Sequence, residues 1–188
     1  MGVAPSFWRG SVLLVAAALI VLVAFAWIAP PGVLIGEAVL RGERGPIERR
    51  ALLVPGERLR LDLVLRRPAA LLILLCDPSG KLSEVFPPPG DAAVLSGPAL
   101  RLPPGDEAWE TGALGGGDHS LWLLASPETI PREKRARLRR LIEGAIQGLA
   151  AARDREAGQR LVEDLARGLK QESVECTDRW FRIDAPGK

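Results

Sequence analysis

Histidines, cysteines and clustered carboxylates are the side chains best equipped for chemistry, and this chain uses them sparingly. Its only histidine, His119, stands between Asp118 and Ser120, so the three residue types of a nucleophilic triad occupy consecutive positions. A triad works only when its members converge in space, whereas neighbours on a strand point to opposite faces. Leu121 to Ala125 read as a strand, so His119 reads as a polar residue at a loop-to-strand boundary, and no catalytic residue is assigned. Asp106, Glu107 and Glu110 form an acidic group of the kind that holds a hard cation. No Asp-x-Asp-x-Asp-Gly loop surrounds them, and a solvated loop is the simpler reading. Gly115-Gly116-Gly117 lacks the Gly-Lys-Ser/Thr of a phosphate loop and reads as a flexible turn. Cys76 and Cys176, the only cysteines, lie 100 positions apart and are too sparse for a zinc site. They are a candidate disulfide if the domain is exported and if the segment at Trp180-Phe181 returns to the strand ending at Cys76. Two buried free thiols are the alternative. No metal or cofactor is assigned.

The most charged feature is Arg132, Lys134, Arg135, Arg137, Arg139 and Arg140, opposed only by Glu133. On a helix whose apolar stripe is Leu138, Leu141, Ile142 and Ala145, these side chains fill the remaining circumference, which is the pattern of a solvated face. Contact with an anionic membrane surface, worth roughly 1 kcal/mol per nearby basic side chain, is the second reading, and an acidic protein partner the third. No aromatic residue interleaves the run as single-strand binding favours. With a net charge of +2 and 26% charged residues, the chain makes no general case for nucleic acid, and disorder is excluded as a class.

The elements that position these residues begin at a membrane. Ser11 to Pro30, SVLLVAAALIVLVAFAWIAP, holds no charged side chain, and about 20 apolar residues make a helix that crosses a hydrocarbon core of ~30 Å. Trp8 and Trp27 bracket it 19 steps apart, roughly 29 Å of helix, placing one indole at each interface. Ala24-Phe25-Ala26 has the small-x-small form of a signal-peptidase site, so cleavage is a rival reading, and a buried core helix is another. The surroundings of Ala24 are wholly apolar, and the uncleaved anchor is the reading taken. Counting positive charges, Arg41, Arg44, Arg49 and Arg50 against Arg9, favours a cytoplasmic C-terminal domain. A first apolar segment behind a short basic tail nevertheless acts as an export signal. We read a single-pass inner (cytoplasmic) membrane protein, with lipid as the partner of residues 11–30 and the large domain extracytoplasmic. A ten-residue tail is too short for a signalling domain of its own, so transmembrane signalling requires another membrane protein.

About 150 residues follow the apolar run, enough for one core. Pro30-Pro31-Gly32 ends the helix, because proline removes a donor and disfavours helix before it. Leu59, Leu61, Leu63 and Leu65 alternate with Arg58, Arg60, Asp62, Val64 and Arg66, the period-two pattern of a half-buried strand. Ala69 to Cys76 is continuously apolar, and Asp77-Pro78-Ser79-Gly80 then predicts a hairpin turn into Lys81 to Phe86. Further extended stretches are predicted near Ala99 to Leu102 and Ser120 to Ala125. Leu138, Leu141, Ile142, Ala145, Ile146 and Leu149, then Leu161, Val162, Leu165 and Leu169, predict one long or two consecutive amphipathic helices. Trp180, Phe181 and Ile183 suit a final strand. The expected class is α+β: an N-terminal tail (1–10), a transmembrane helix (11–30), a small mainly antiparallel β-sandwich or barrel (33–127), amphipathic helices (128–171) and a C-terminal strand or tail (172–188).

The order of features from Pro55 to Pro127 carries a resemblance. Pro55-Gly56-Glu57-Arg58-Leu59-Arg60-Leu61 leads to Asp77-Pro78-Ser79-Gly80-Lys81 and Val85-Phe86-Pro87. Leu102-Pro103-Pro104-Gly105 follows, and Gly117-Asp118 precedes Leu121-Trp122-Leu123-Leu124-Ala125-Ser126. This segment resembles the bacterial family numbered 4384 among domains of unknown function. Members of that family often stand behind a membrane helix, or are fused to anti-sigma-type zinc-binding or caspase-like domains. The resemblance implies an envelope sensory or interaction module and carries over no catalytic residue. The Gly115-Gly116-Gly117 loop and the long C-terminal helices depart from the family pattern.

Together these readings point to a non-enzymatic, membrane-anchored sensory or protein-interaction module with a protein partner and no nucleic acid. An envelope hydrolase with an unrecognised site and a passive anchor for a partner are the competing classes. The anchor has a direct check. Intact-mass measurement of the purified protein should retain residues 1–26, whereas a mature N-terminus at Trp27 would convert the chain to a cleaved, exported domain.

Overall fold

The computed structural model describes residues 33–48, 51–87, 94–95, 99–152 and 155–184. The expected membrane helix at 11–30 lies outside them, and among the described residues no helix is long and apolar enough to cross a membrane. From Leu34 onward the chain is mostly β structure with two helices. The strands before the helices are β1 (Ile35–Gly42), β2 (Gly45–Pro46), β3 (Ala51–Leu53), β4 (Arg58–Leu65), β5 (Ala69–Cys76), β6 (Leu82–Phe86), β7 (Val94–Leu95), β8 (Leu100–Leu102), β9 (Trp109–Glu110) and β10 (Gly117–Ser126). Helices α1 (Arg132–Ala151) and α2 (Arg155–Gln171) follow, and β11 (Glu175–Ile183) ends the fold.

Two sheets result. The first runs β2-β1-β4-β8, with β9 also on β4, and the second runs β3-β11-β10-β5-β6, with β7 also on β5. Pairing is antiparallel except between β3 and β11. The period-two run on β4 turns Leu59, Leu61, Leu63 and Leu65 into the core and leaves the intervening positions at least partly accessible, so the first sheet keeps one wet face.

Strand β5 has no polar position to turn outward, and all eight of its residues are buried. Leu71, Ile73 and Leu75 join Leu121, Leu123, Leu40, Leu61 and Leu63 in the core between the sheets. Ala70, Leu72, Leu74 and Cys76 face the other way and pack with Trp122, Leu124, Leu138, Ile142 and Leu169 beneath the helices. The unit from Leu34 onward is therefore layered sheet on sheet on helices, with β5 and β10 in the middle layer. Side chains of β11 tie the sheets together: Glu175 accepts from the Leu34 and Ile35 amides, and Arg179 donates to the Ala38 carbonyl.

Local chemistry follows the sequence at several joints. At the predicted hairpin turn, Asp77 Oδ1 accepts from Ser79 Oγ at 2.6 Å, Ser79 N at 2.9 Å and Lys81 N at 3.0 Å. The Ser79 hydroxyl above all holds the Asp77 carboxyl below the ordinary aspartate range. The peptide bonds Phe86-Pro87 and Leu102-Pro103 are both cis. The helical region resolves into two helices whose approach depends on Gly148, where a Cβ would meet Leu161 Cδ2 at 2.9 Å. Gly117 corrects the reading of a flexible turn: it begins β10 at φ +125, and a Cβ there would lie 2.7 Å from Pro78 Cγ.

The two faces of β4 make a sharp comparison. Leu61→Asp places an unpaired charge in the core and should cost several kcal/mol. Arg60→Gln loses only hydrogen bonds to loop carbonyls and should cost no more than about 1 kcal/mol. Similar urea-unfolding losses for the two variants would contradict the assignment of faces.

Candidate functional site

The outward positions of the first sheet gather arginines that are far apart in sequence. The register sets Arg41 opposite Arg60 and Val39 opposite Asp62, with Asp62 opposite Arg101 on its other side. Asp62 Oδ2 accepts from Arg41 Nε and Oδ1 from Arg101 Nε at 3.1 Å. Partial burial alone would raise the Asp62 pKa, but the bonds and charges of Arg101 and Arg41 outweigh it and hold the carboxyl below its usual range. Arg58 and Arg60 are held differently. Both donate an Nη2 hydrogen to the Asp106 carbonyl, at 3.1 and 2.9 Å, and Arg60 Nε donates to the Glu107 carbonyl at 3.2 Å. A depression of about 300 Å³ lies among Arg41, Arg58, Arg60, Asp62 and Arg101, with Glu43 at its edge. A second, of about 440 Å³, shares Arg41, Asp62 and Arg101 and continues over Val39, Val64 and Leu100 to Glu37.

The residues singled out by sequence are distributed otherwise. Asp106 and Glu107 support the arginines through main-chain carbonyls. No group of three or more His, Cys, Asp or Glu among the described residues is placed to hold a metal ion. The basic run on α1 is largely engaged within the fold. Arg135 pairs with Glu84 at 2.7 Å, Arg137 with Glu172 at 2.9 Å and Arg139 with Glu143 at 2.8 Å. Lys134 Nζ donates to Ser126 Oγ at 3.3 Å, while Arg132 and Arg140 are exposed. The six residues thus do not form one free cationic surface.

The candidate disulfide between Cys76 and Cys176 is corrected: both thiols are free. The C-terminal segment does return to this sheet, but β10 lies between the two cysteine strands. Cys76 is opposite Ser120 and Cys176 opposite Leu124, on the two sides of β10. Two inter-strand spacings of ~4.8 Å and a four-residue offset carry their Cα atoms well beyond the ~7 Å limit for a bridge. Burial, reinforced by the charges of Asp178 and Glu175, pushes the Cys176 thiol up to about 12. Burial likewise raises Cys76, so neither is primed as a nucleophile.

His119 is fully buried within β10 and stacks on Phe181, with ring centroids 5.6 Å apart. Its Nε2 lies 3.2 Å from the Gly115 carbonyl, and its Nδ1 has no hydrogen-bond partner among the described residues. Ser120 engages Trp122 Nε1 at 2.9 Å within the layer under the helices, so the adjacent serine and histidine serve opposite faces of the strand. An apolar cavity of about 400 Å³ lies between the sheets, lined by Leu40, Leu59, Leu75, Leu121, Trp109 and Phe181 among others.

Neither the protein-family models nor the curated proteins gave a match to this chain. The arginine face was not singled out by sequence reading. Its only signal was the outward alternation Arg58, Arg60, Asp62 on one strand, and Arg41 and Arg101 join it through strand register alone.

The Asp62 bridge has a signed pH dependence. A carboxylate whose folded pKa is depressed adds stability above its unfolded pKa of ~3.9 and loses that contribution as pH falls through the lower folded value. Asp62→Asn should therefore lower the melting temperature at pH 7 modestly, as suits a solvent-exposed network. The gap to the parent protein should close below about pH 4. A gap independent of pH would show that the bridge contributes no charge-linked stability.

Proposed function

We propose that this chain is a membrane-anchored, extracytoplasmic protein-interaction or sensory module of the bacterial envelope, built on a β-sandwich and acting without catalysis. The observation that carries this reading is the unequal treatment of the two outer sheet faces. On the second sheet α1 and α2 cover β5, β6 and β10, whereas the first sheet leaves Arg41, Arg58, Arg60, Asp62 and Arg101 around an open depression. A covered face serves the fold, and an uncovered face with arginines held in place suits recognition of another molecule.

Further support comes from the side chains that a hydrolase would use. His119 is stacked in the core and Ser120 belongs to the opposite side of the strand, so these neighbours share no nucleophile-base contact. The charge-free run at 11–30 supports a membrane anchor. The feature order from Pro55 to Pro127 supports an envelope module like those of family 4384.

Photo-crosslinking in intact cells tests the reading. A photoreactive residue at Val64, 37% exposed on the first sheet, should give a discrete adduct with an envelope protein, and one at Val162, 52% exposed on α2, should not. Adducts from Val162 alone, or none from Val64, would reject the first sheet as the interaction surface.

A further inference from the structure

We infer that the arginine face of the first sheet is a docking site for a short extended peptide segment of a partner protein, acidic at one end and apolar beyond it. This deepens the interaction reading above and rests on it, since the occupant is taken to be protein.

Charge is the first argument. Arg41 and Arg60 are directly opposed on neighbouring strands, and like charges in that position destabilise a sheet. Asp62 compensates Arg41 and Arg101. Among the described residues, Arg58 and Arg60 bond only to main-chain carbonyls and form no ion pair. Glu110 of β9 stands opposite Arg58 without an ion pair, so both guanidinium groups remain open to a ligand carboxylate.

Geometry is the second. The shared Asp106 carbonyl fixes the heads of Arg58 and Arg60 beside each other while most N–H donors of each fork stay uncommitted. Guanidinium groups already held in place lose less freedom on binding a carboxylate. The two depressions are continuous through Arg41, Asp62 and Arg101. From Arg58 to Val64 the path is six residue steps, roughly 20 Å, the length of about six extended residues.

The lining then selects the occupant. An inorganic anion would use the Arg58 and Arg60 end and leave Val39 and Val64 uncovered. A long uniform polyanion would meet Glu43 at one edge and Glu37 at the far end. Carboxylates over Arg58 and Arg60, an apolar side chain over Val39 and Val64, and a neutral end near Glu37 satisfy every part of the groove.

Fluorescence anisotropy with the whole chain in nonionic detergent provides the test. The probe is a fluorescein-labelled peptide, Glu-Asp-Glu-Leu-Val-Gln-Gly. It should bind, and R58Q/R60Q should weaken it at least about tenfold, with circular dichroism confirming that the variant is folded. V64D, which leaves the arginines in place and repels the acidic peptide, should weaken it comparably. R132Q/R140Q, which removes the same charge from α1, should change binding by less than about twofold. Heptaglutamate and inorganic phosphate should compete at least about tenfold less well than unlabelled peptide. No binding up to about 1 mM peptide, equal losses in R58Q/R60Q and R132Q/R140Q, or equal competition by phosphate would each overturn the proposal. Crosslinking from Val64 in cells combined with failure of this peptide would reject the acidic-apolar chemistry while leaving the interaction module standing.

Discussion

Strand β5 is the constraint to which the rest of the fold answers. Eight consecutive apolar residues in an extended conformation expose hydrophobic side chains on both faces at once. One sheet face can be buried against a second sheet, but the other then needs its own cover. The chain meets this by stacking the first sheet against Leu71, Ile73 and Leu75 and the helices against Ala70, Leu72 and Leu74. Strand β10 shares the burden, with Leu121, Leu123 and Ala125 facing one layer and Trp122 and Leu124 the other. The C-terminal helices thus close the second of the two cores and cannot be regarded as an appendage.

That layering decides which sheet face stays open to solvent. Helix α1 is pinned by ion pairs to β6 and to the end of α2, through Arg135 with Glu84 and Arg137 with Glu172. Its basic residues therefore serve largely to seat the helix. The first sheet contributes only one face to the core, because β4 alternates where β5 does not. Its other face is free to carry charge, and the arginines on it come from β1, β4 and β8.

Much of this was legible in the sequence because the signals were periodic and local. The leucine alternation on β4, the Asp77 turn and the apolar stripe of Leu138, Ile142 and Ala145 each state their own partners of one face. What sequence could not state was long-range register. The Cys76 and Cys176 expectation needed the C-terminal segment to return to the strand ending at Cys76; the segment joins the same sheet, but it pairs with β10, which lies between the two cysteine strands. Gly117 looked like part of a flexible run because the Pro78 ring that fixes it lies 39 positions away in sequence. The arginine face was hidden for the same reason, since Arg41 and Arg101 become neighbours of Asp62 only once β1 and β8 flank β4.

His119 shows how a residue type can mislead when its layer is unknown. In sequence it offers acid, base and nucleophile in three consecutive positions, and in space the strand deals them to different environments. Asp118 is exposed, with Arg182 at 3.9 Å, Ser120 serves the tryptophan under the helices, and His119 lies against Phe181 in the inter-sheet core. Its Nε2 lies within hydrogen-bond distance of the Gly115 carbonyl, and its Nδ1 has no partner among the described residues. The ring then contributes apolar area and one hydrogen bond to the start of β10. Packing thus governs the surroundings of His119, whereas the charged side chains across the first sheet stay open to solvent.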